Sequence, residues 1–385
     1  PADQSPIFVS RIRLAYLVST LGRTGPTRQL YNLLKYIDHE QFDAAVVTLS
    51  DSPADNLEAN FKCLEIKLYP MALSRFTSVV TGKRRLNQLL RELDPDILHS
   101  QGLRADWLSS RLDPPFLRMA TQRNNPKSDY PPLMGYWTGK AAAVLHQRAL
   151  NALPMVVACS HALTQHNALY AQTPHVIHNG ADIASLPAPL RESDRAAQRS
   201  ALGLPTRGRL FIFAGPLIPR KNPKGLIKAL KMRAAQGDAL VILGDGPLLP
   251  QCEALTRGAP NIALPGAKAN VADYLRLADC FVSASRAEGL PNAVLEALAC
   301  SLPVLLSDIP AHREILALSS AAGELFSIDR PESLNEAIQN FEITSDRRTA
   351  ARALAMEHFS AEAMSRSYQE LYRQQLAAVA AKTRS

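Results

Sequence analysis

Little in this sequence is arranged for a disulfide, a metal ion or a bilayer. The five cysteines (Cys63, Cys159, Cys252, Cys280 and Cys300) are far apart, form no C-x-x-C pair and mostly fall in apolar segments. That usage points to free thiols in a reducing compartment, the cytosol, and argues against a zinc site. No apolar run reaches the roughly 20 residues needed to span a bilayer, and no basic-then-apolar leader opens the chain, so the expectation is a protein that does not cross a membrane. Aromatic residues make up 6% of the chain, too few to stack bases, and no helix-turn-helix, RNP or zinc-knuckle pattern is present, so nucleic acid is not an expected partner. G-x-G-x-x-G and Walker A motifs are missing too, which argues against a dehydrogenase and a P-loop ATPase.

What is present describes an ordinary globular protein of two domains. At 385 residues, with 46% hydrophobic and 20% charged residues, the chain exceeds the length at which a single core keeps growing. A net charge of +8 and a pI near 9.3 favour polyanionic partners: phosphorylated ligands or an anionic membrane surface.

Short apolar or β-branched runs alternate with helix-length segments throughout. The runs are 12–18, 44–49, 63–68, 96–98, 117–121, 155–158 and 176–177, then 210–214, 239–243, 261–264, 280–284, 303–306 and 324–327. Such alternation predicts βαβ units and parallel sheets covered by helices on both faces, with the polar, Pro-containing stretch 185–194 as linker. The expected class is therefore α/β: two doubly wound, Rossmann-like domains facing across a cleft. In such sheets ligands collect beyond the carboxyl ends of the strands.

The segment after the run 280–284 is the most informative. Glu288-Gly289-Leu290-Pro291-Asn292-Ala293-Val294-Leu295-Glu296 follows a strand and opens a helix, with Pro291 suited to the first turn. Backbone N–H groups at 292–294 favour an anion such as a phosphate, and Gly289 permits close approach. Glu288 and Glu296 on either side suit sugar hydroxyls, although for each read alone a solvated side chain is the plainer reading. After the run 210–214 come Gly215, Arg220 and Lys221, ahead of an apolar helix; the two cations could both reach a diphosphate held at the Glu288 turn, and a solvated basic loop is the alternative reading. After the first strand, Gly25 sits in a turn into a helix where a substrate could approach the backbone.

The second half resembles the GT-B fold glycosyltransferases of the retaining GT4 type. The likeness rests on Gly215-x-Leu217 with Lys221, on the turn from Leu243 to Pro247, and on Glu288 with Glu296. Asn179-Gly180-x-Asp182 and His358-Phe359-Ser360 fit the same family, so that the resemblance covers essentially the whole chain. It implies an N-terminal acceptor-binding domain over 1–185 with 361–385 packing back on it, and a nucleotide-sugar-binding domain over 186–360. It further implies that Lys221 neutralises the diphosphate of a UDP- or GDP-linked sugar, that Glu296 holds the ribose, and that Glu288 holds the donor sugar. The donor contacts would include Gly25, Gly215, Arg220, Gly289, Leu290, Asn292 and Ala293. Transfer would retain configuration, without a metal or other cofactor, and no D-x-D pattern lies in a candidate site.

Two departures stand out. Pro216 replaces an Arg usual in the family, with Arg220 the candidate substitute, and Gln122-Arg123 stands where many relatives carry a His, which puts Arg123 forward as a contact to phosphate or acceptor. His99, ending the run 96–98, matches the first His of the family's D-x-x-H-x-H, with Gln101 at the second, which makes it a candidate catalytic contact to substrate, although a lone strand-end His is more often structural. The acceptor implied is a carbohydrate or a lipid-linked sugar of surface-polysaccharide or glycolipid assembly. The stretch 73–93 mixes Arg75, Lys83, Arg84, Arg85 and Arg91 with Phe76, Val79, Val80, Leu86, Leu89, Leu90 and Leu93, a pattern suited either to docking on anionic lipid at the inner face of the cell membrane or to packing on its own domain. The alternatives are a non-catalytic nucleotide-sugar-binding protein and an epimerase or phosphorylase on the same architecture.

Overall fold

The computed structural model describes residues 11–165, 170–187, 190, 192–330 and 332–384, with the side chains at 75, 76, 192, 193 and 382–384 outside the description. Each expected strand run overlaps a strand. The first sheet contains β1 (Ile12–Val18), β2 (Phe42–Thr48), β3 (Lys67–Pro70), β4 (Ile97–Gln101), β5 (Leu117–Gln122), β6 (Met155–Ala158) and β7 (His175–Val176), in the order β3-β2-β1-β4-β5-β6-β7. The second contains β8 (Leu210–Ala214), β9 (Ala239–Leu243), β10 (Ile262–Gly266), β11 (Cys280–Ser283), β12 (Val304–Ser307) and β13 (Gly323–Phe326), in the order β10-β9-β8-β11-β12-β13. All pairings between these strands are parallel. Each sheet therefore reverses its winding beside its own first strand: between β1 and β4 in one, between β8 and β11 in the other.

The chain divides into two compact units. The first comprises residues up to Cys159 with Leu163–Ile177 and Ala361–Ser385, and the second Ser160–Ala162 with His178–Ser360. The change of unit falls at 177/178 rather than at the expected 185/186. Of the proposed linker, 188, 189 and 191 lie outside the described residues, as do 1–10 and 385 at the ends of the expected domains. Its last residues belong to the helix Glu192–Ala201. Arg195 and Arg199 on that helix reach Asp279 at 2.8 and 2.7 Å, which ties the segment to the foot of β11.

One strand start moves. The run 63–68 was expected to be extended throughout, yet Glu58–Cys63 is helical and the strand begins at Lys67. Phe61, fully buried, anchors that turn of helix, and Glu65 takes a left-handed conformation (φ 58°) to redirect the chain.

The first unit is completed by the end of the chain. On the helix Ala361–Arg384, Met364, Tyr368, Leu371 and Tyr372 recur at helical spacing and join a core with Leu30, Leu33 and Leu34 of the helix Gly25–Lys35 and with Tyr16 of β1. Full burial of such side chains contributes about 1.5–3 kcal/mol apiece. Polar groups inside this core are paired: Ser365 Oγ donates to Leu33 O at 2.7 Å, and the Tyr372 hydroxyl lies 2.9 Å from Tyr16 Oη and 2.8 Å from His99 Nδ1. Tyr372→Phe strands both partners, so the first unit should lose about 1–3 kcal/mol. A urea titration reads this as a lower midpoint at constant slope; an unchanged midpoint would show that the hydroxyl contributes nothing.

Candidate functional site

The second sheet builds its site where β8 and β11 part. Their pairing holds only through Phe211–Cys280 and Ile212–Phe281, although β8 continues to Ala214 and β11 to Ser283. Beyond that point a backbone hydrogen bond joins the two connections, Arg286 N to Arg220 O at 2.8 Å. This is the place where doubly wound sheets take up ligands.

The β8 connection is held in shape from one side. Gly215 N donates to Leu243 O, Leu217 N to Asp245 O and Leu248 N to Leu217 O, at 2.9–3.0 Å. The Gly244-Asp245-Gly246 turn lies so close that a Cβ on Gly244 would come within 1.9 Å of Gly215 O. A turn glycine of the sequence thus proves to be a packing requirement. Pro219–Lys221 forms a single 3-10 turn, Asn222 adopts the left-handed region (φ 51°) that Asn tolerates, and the helix Pro223–Lys231 follows. The turn aims two cations at one carboxylate. Arg220 Nη1 lies 2.9 Å from Glu288 Oε2 and donates to Ala287 O at 2.7 Å, while Lys221 Nζ is 2.6 Å from Glu288 Oε1 as an ion pair.

Glu288 has a side chain 5% exposed. Burial alone would raise its pKa, but Lys221 and Arg220 outweigh burial and bring it from the usual 4.5 down to about 2. The carboxylate is therefore ionised at neutral pH and set between two cations, an arrangement with excess positive charge. Next to it begins the helix Asn292–Ala299. Pro291 is not in its first turn, as expected, but caps it (φ −76°, ψ 105°), and its carbonyl accepts from Val294 N and Leu295 N. The N–H groups at the helix mouth are thus those of Asn292 and Ala293, with the positive end of the dipole behind them. Glu296 lies four residues on from Asn292, on the same helix face, half-buried.

Two residues that were given no part in the site hold the connection in place. Ser160 Oγ donates to Gly289 O at 2.8 Å, and Asn179 Nδ2 to Leu290 O at 3.1 Å and Asn292 Oδ1 at 2.9 Å. Asn179 was visible as part of a motif; nothing in the sequence marks Ser160. A third is His312, fully buried near the start of the helix Pro310–Leu318 that follows β12. Its Nδ1 sits 2.7 Å from Ser307 O, its Nε2 has no partner among the described residues, and burial pulls its pKa from 6.5 to about 4 against the opposing charge of Glu288. It is a neutral acceptor beside the cation–carboxylate cluster. The only advance signal was its place just beyond a strand's carboxyl end.

The remaining candidates belong to the first unit. Gly25 opens the helix after β1, exposed, with Thr24 as its cap. Arg123 follows β5, half-buried, its Nε 3.4 Å from Gln101 Oε1 at the end of β4. His99 does not reach substrate as expected: it is 0% exposed, with Nδ1 on Tyr372 Oη and Nε2 2.7 Å from Thr121 Oγ1. Burial, then the charge of Arg123, lowers its pKa to about 3, so this is a neutral core histidine. Its strand-end position reads as a site in one dimension, but a helix more than 250 residues later covers it.

The cation–carboxylate cluster has an acid signature. The folded carboxyl titrates near 2 and the unfolded one near 4.5, so ionised Glu288 stabilises the fold fully above about pH 4.5 and loses that contribution as pH falls toward 2. The contribution at pH 7 is about 3 kcal/mol. Glu288→Gln should lower stability at pH 7 by a similar amount, since it leaves two cations unpaired, and should flatten the pH dependence across this window. Denaturant midpoints of both proteins from pH 7 to pH 2.5 check it; parallel profiles would show that the two cations do not hold Glu288.

Comparison with known proteins follows the two units. A family described as "Glycosyl transferases group 1" matches residues 194–356, and one described as "Glycosyltransferase Family 4" matches residues 23–185. Among curated relatives, a D-inositol 3-phosphate glycosyltransferase of Jonesia denitrificans is 30% identical over 207 residues, 49% of each chain. The putative teichuronic acid biosynthesis glycosyltransferase TuaC of Bacillus subtilis is 29% identical over 229 residues, 57% of this chain and 54% of that one. The chain thus spans about half the length of these curated relatives. Among solved structures, HepE of Anabaena in complex with UDP superposes with a TM-score of 0.76 at 16% identity, over 94% of this chain and 100% of that one. At that identity the likeness shows the fold, which is GT-B.

Proposed function

We propose that this chain, which belongs to the group 1 glycosyltransferases of the GT-B fold, moves a sugar from a nucleoside-diphosphate donor to a glycan acceptor with retention of configuration. The observation that carries this reading is the convergence of Arg220 and Lys221 on buried Glu288 at the mouth of the helix Asn292–Ala299. When the bond from the anomeric carbon to the diphosphate breaks, negative charge develops on the phosphate oxygens. Fixed cations and helix-end N–H groups stabilise such charge in place. On this reading Lys221 and Arg220 receive the diphosphate, with Arg220 in place of the missing Arg at Pro216, and no metal or other cofactor is required. Glu296 takes the ribose and Glu288 the donor sugar, while Gly215, Gly289, Leu290, Asn292 and Ala293 form the backbone wall of the donor site.

A uracil or guanine nucleotide is proposed as carrier, in keeping with the UDP bound by HepE. The acceptor is assigned to the first unit, with Arg123 as its contact, and is a carbohydrate or lipid-linked sugar of surface-polysaccharide or glycolipid assembly. One relative is named as a galactosyltransferase acting on a diphosphoundecaprenol-linked sugar; it is from Escherichia coli and 30% identical over 35% of this chain. A cytoplasmic enzyme working at an anionic membrane surface follows from such an acceptor. No described helix is long and apolar enough to cross a membrane.

Thermal unfolding with UDP, GDP, ADP, dTDP and NAD tests the donor assignment. At 100 times its Kd, a nucleotide adds about 2.7 kcal/mol to the folded state. One nucleoside diphosphate should raise the transition of the wild type, and Lys221→Ala and Glu296→Ala should abolish the rise. A response to NAD alone, or to none, would refute the donor site. Binding without transfer across an acceptor panel would instead make the protein a non-catalytic binder.

A further inference from the structure

The basic stretch 73–93 suited either a membrane face or packing on its own domain, and its apolar side is spent inside the protein. Leu73, Leu86 and Leu90 are at most 2% exposed in the first unit's core, and Leu89 and Leu93 pack against that core. The side chains of Arg75 and Phe76 lie outside the described residues. Val79 and Val80 stay on the surface, Lys83, Arg84 and Arg91 line a shallow groove beside Val80, and Arg85 and Glu92 are exposed as well.

The exposed apolar surface of the same unit lies on another element. Pro126–Met134 and Tyr136–Asn151 form a helical hairpin that turns at Gly135 (φ 87°). Its tip presents Leu133 (66% exposed), Met134 (49%), Tyr136 (57%) and Trp137 (78%), and Val144 and Leu145 continue the face along the second arm. The arms meet closely: a Cβ on Gly139 would come within 2.4 Å of the Pro131 backbone. The base is anchored by buried polar bonds, Tyr130 Oη to His146 Nδ1 at 2.6 Å and His146 Nε2 to Asp106 Oδ2 at 2.8 Å. A firmly held base under a bare aromatic tip is unlike a loose surface loop.

Charge decides what covers it. Lys127, Lys140 and Arg148 are the exposed charged residues of the hairpin, and its one acid, Asp129, is buried. Lys140 Nζ stands 4.2 Å over the Tyr136 ring and 5.9 Å from that of Trp137. The helix Leu103–Ser109 connects this hairpin to the basic helix Gly82–Leu93: Asp106 holds His146 on one side, and Leu108 packs at Gly82 on the other. A second copy of the chain docking by the same face would set like charges against each other. Aromatic rings and aliphatic side chains flanked by Lys and Arg match instead the boundary between acyl chains and anionic headgroups.

We infer that the first unit docks on anionic bilayers through this hairpin, with Trp137, Tyr136, Leu133 and Met134 entering the headgroup layer and Lys140, Arg148 and the basic groove of the neighbouring helix meeting lipid phosphates. The inference deepens the membrane partner proposed above by naming the element that makes contact. It stands on the first unit's surface, so its failure leaves donor binding untouched.

The test uses the purified full chain with vesicles of neutral phosphatidylcholine, alone or with about one-third phosphatidylglycerol, at low and high salt. The wild type should sediment with the anionic vesicles and less so as salt rises. Trp107 and Trp137 are the two tryptophans, so in Trp107→Phe the emission reports Trp137 alone and should shift to the blue on binding. Tyr136→Ser with Trp137→Ser should weaken partition about tenfold, equivalent to ~1.4 kcal/mol. Lys140→Glu should weaken it about fivefold, equivalent to ~1 kcal/mol, and Met356→Ser, an exposed apolar change in the second unit, should leave it unchanged. The nucleotide-induced thermal shift of each variant confirms that it is folded. Sedimentation without a Trp137 shift, equal partition of the tip variants and wild type, or a dimer by light scattering that the tip variants dissolve would each overturn the inference.

Discussion

A carboxylate can be buried at neutral pH only if its charge is answered, and in the second unit that requirement organises everything around Glu288. Both answering cations come from one 3-10 turn, Pro219–Lys221. That turn holds its position because its connection is pressed against the Gly244–Gly246 turn on one side and bonded to Arg286 on the other. The strand pair beneath stops two residues before β11 ends, which opens the space for the three charged groups. Ser160 and Asn179 then hold the carbonyls at 289 and 290, and so orient the backbone leading into the helix. One acid between two bases leaves a surplus of positive charge beside a helix N-terminus, and a diphosphate satisfies that surplus.

The strand runs were legible because parallel strands buried on both faces are continuous apolar segments separated by helices. Errors arose where a short apolar stretch fits either conformation. Glu58–Cys63 is helical because Phe61 finds a pocket in the core, a tertiary fact that periodicity over six residues cannot contain. The cations and glutamates of the second unit were legible as types at strand ends, and both cations were expected near the Glu288 turn, whereas their direct pairing with the Glu288 carboxylate was not legible, because it depends on two connections separated by more than 60 residues. His99 shows the opposite failure. Its partners Tyr368 and Tyr372 come from the far end of the chain, so a strand-end histidine that looked available is sealed. Ser160 carried no local mark at all, and His312 only its place just beyond the end of β12.

Of the two readings of the stretch 73–93, packing on its own domain is the one the structure bears out. An amphipathic pattern states that one face is apolar without stating what lies against it. Here the protein's own sheet takes that face, while the hairpin 126–151, whose composition interrupts any regular stripe with Pro131, Pro132, Gly135 and Gly139, keeps its apolar residues outside. Irregular sequence hid the more exposed surface.

The return of Ala361–Arg384 to the first unit governs the order in which the protein can be made. Tyr368 and Tyr372 close the core over β1 and β4, yet they emerge from the ribosome only after the whole second unit, whose main segment runs from His178 to Ser360. At 5–20 residues per second, that segment takes roughly 10–40 s to synthesise. During this interval the first sheet waits with Tyr16, Leu30 and Leu34 uncovered, while the second unit has all of its own strands and can fold first. The half of the protein translated first is thus the half finished last, and a nascent chain stalled before residue 361 carries an open hydrophobic face that a chaperone would have to shield.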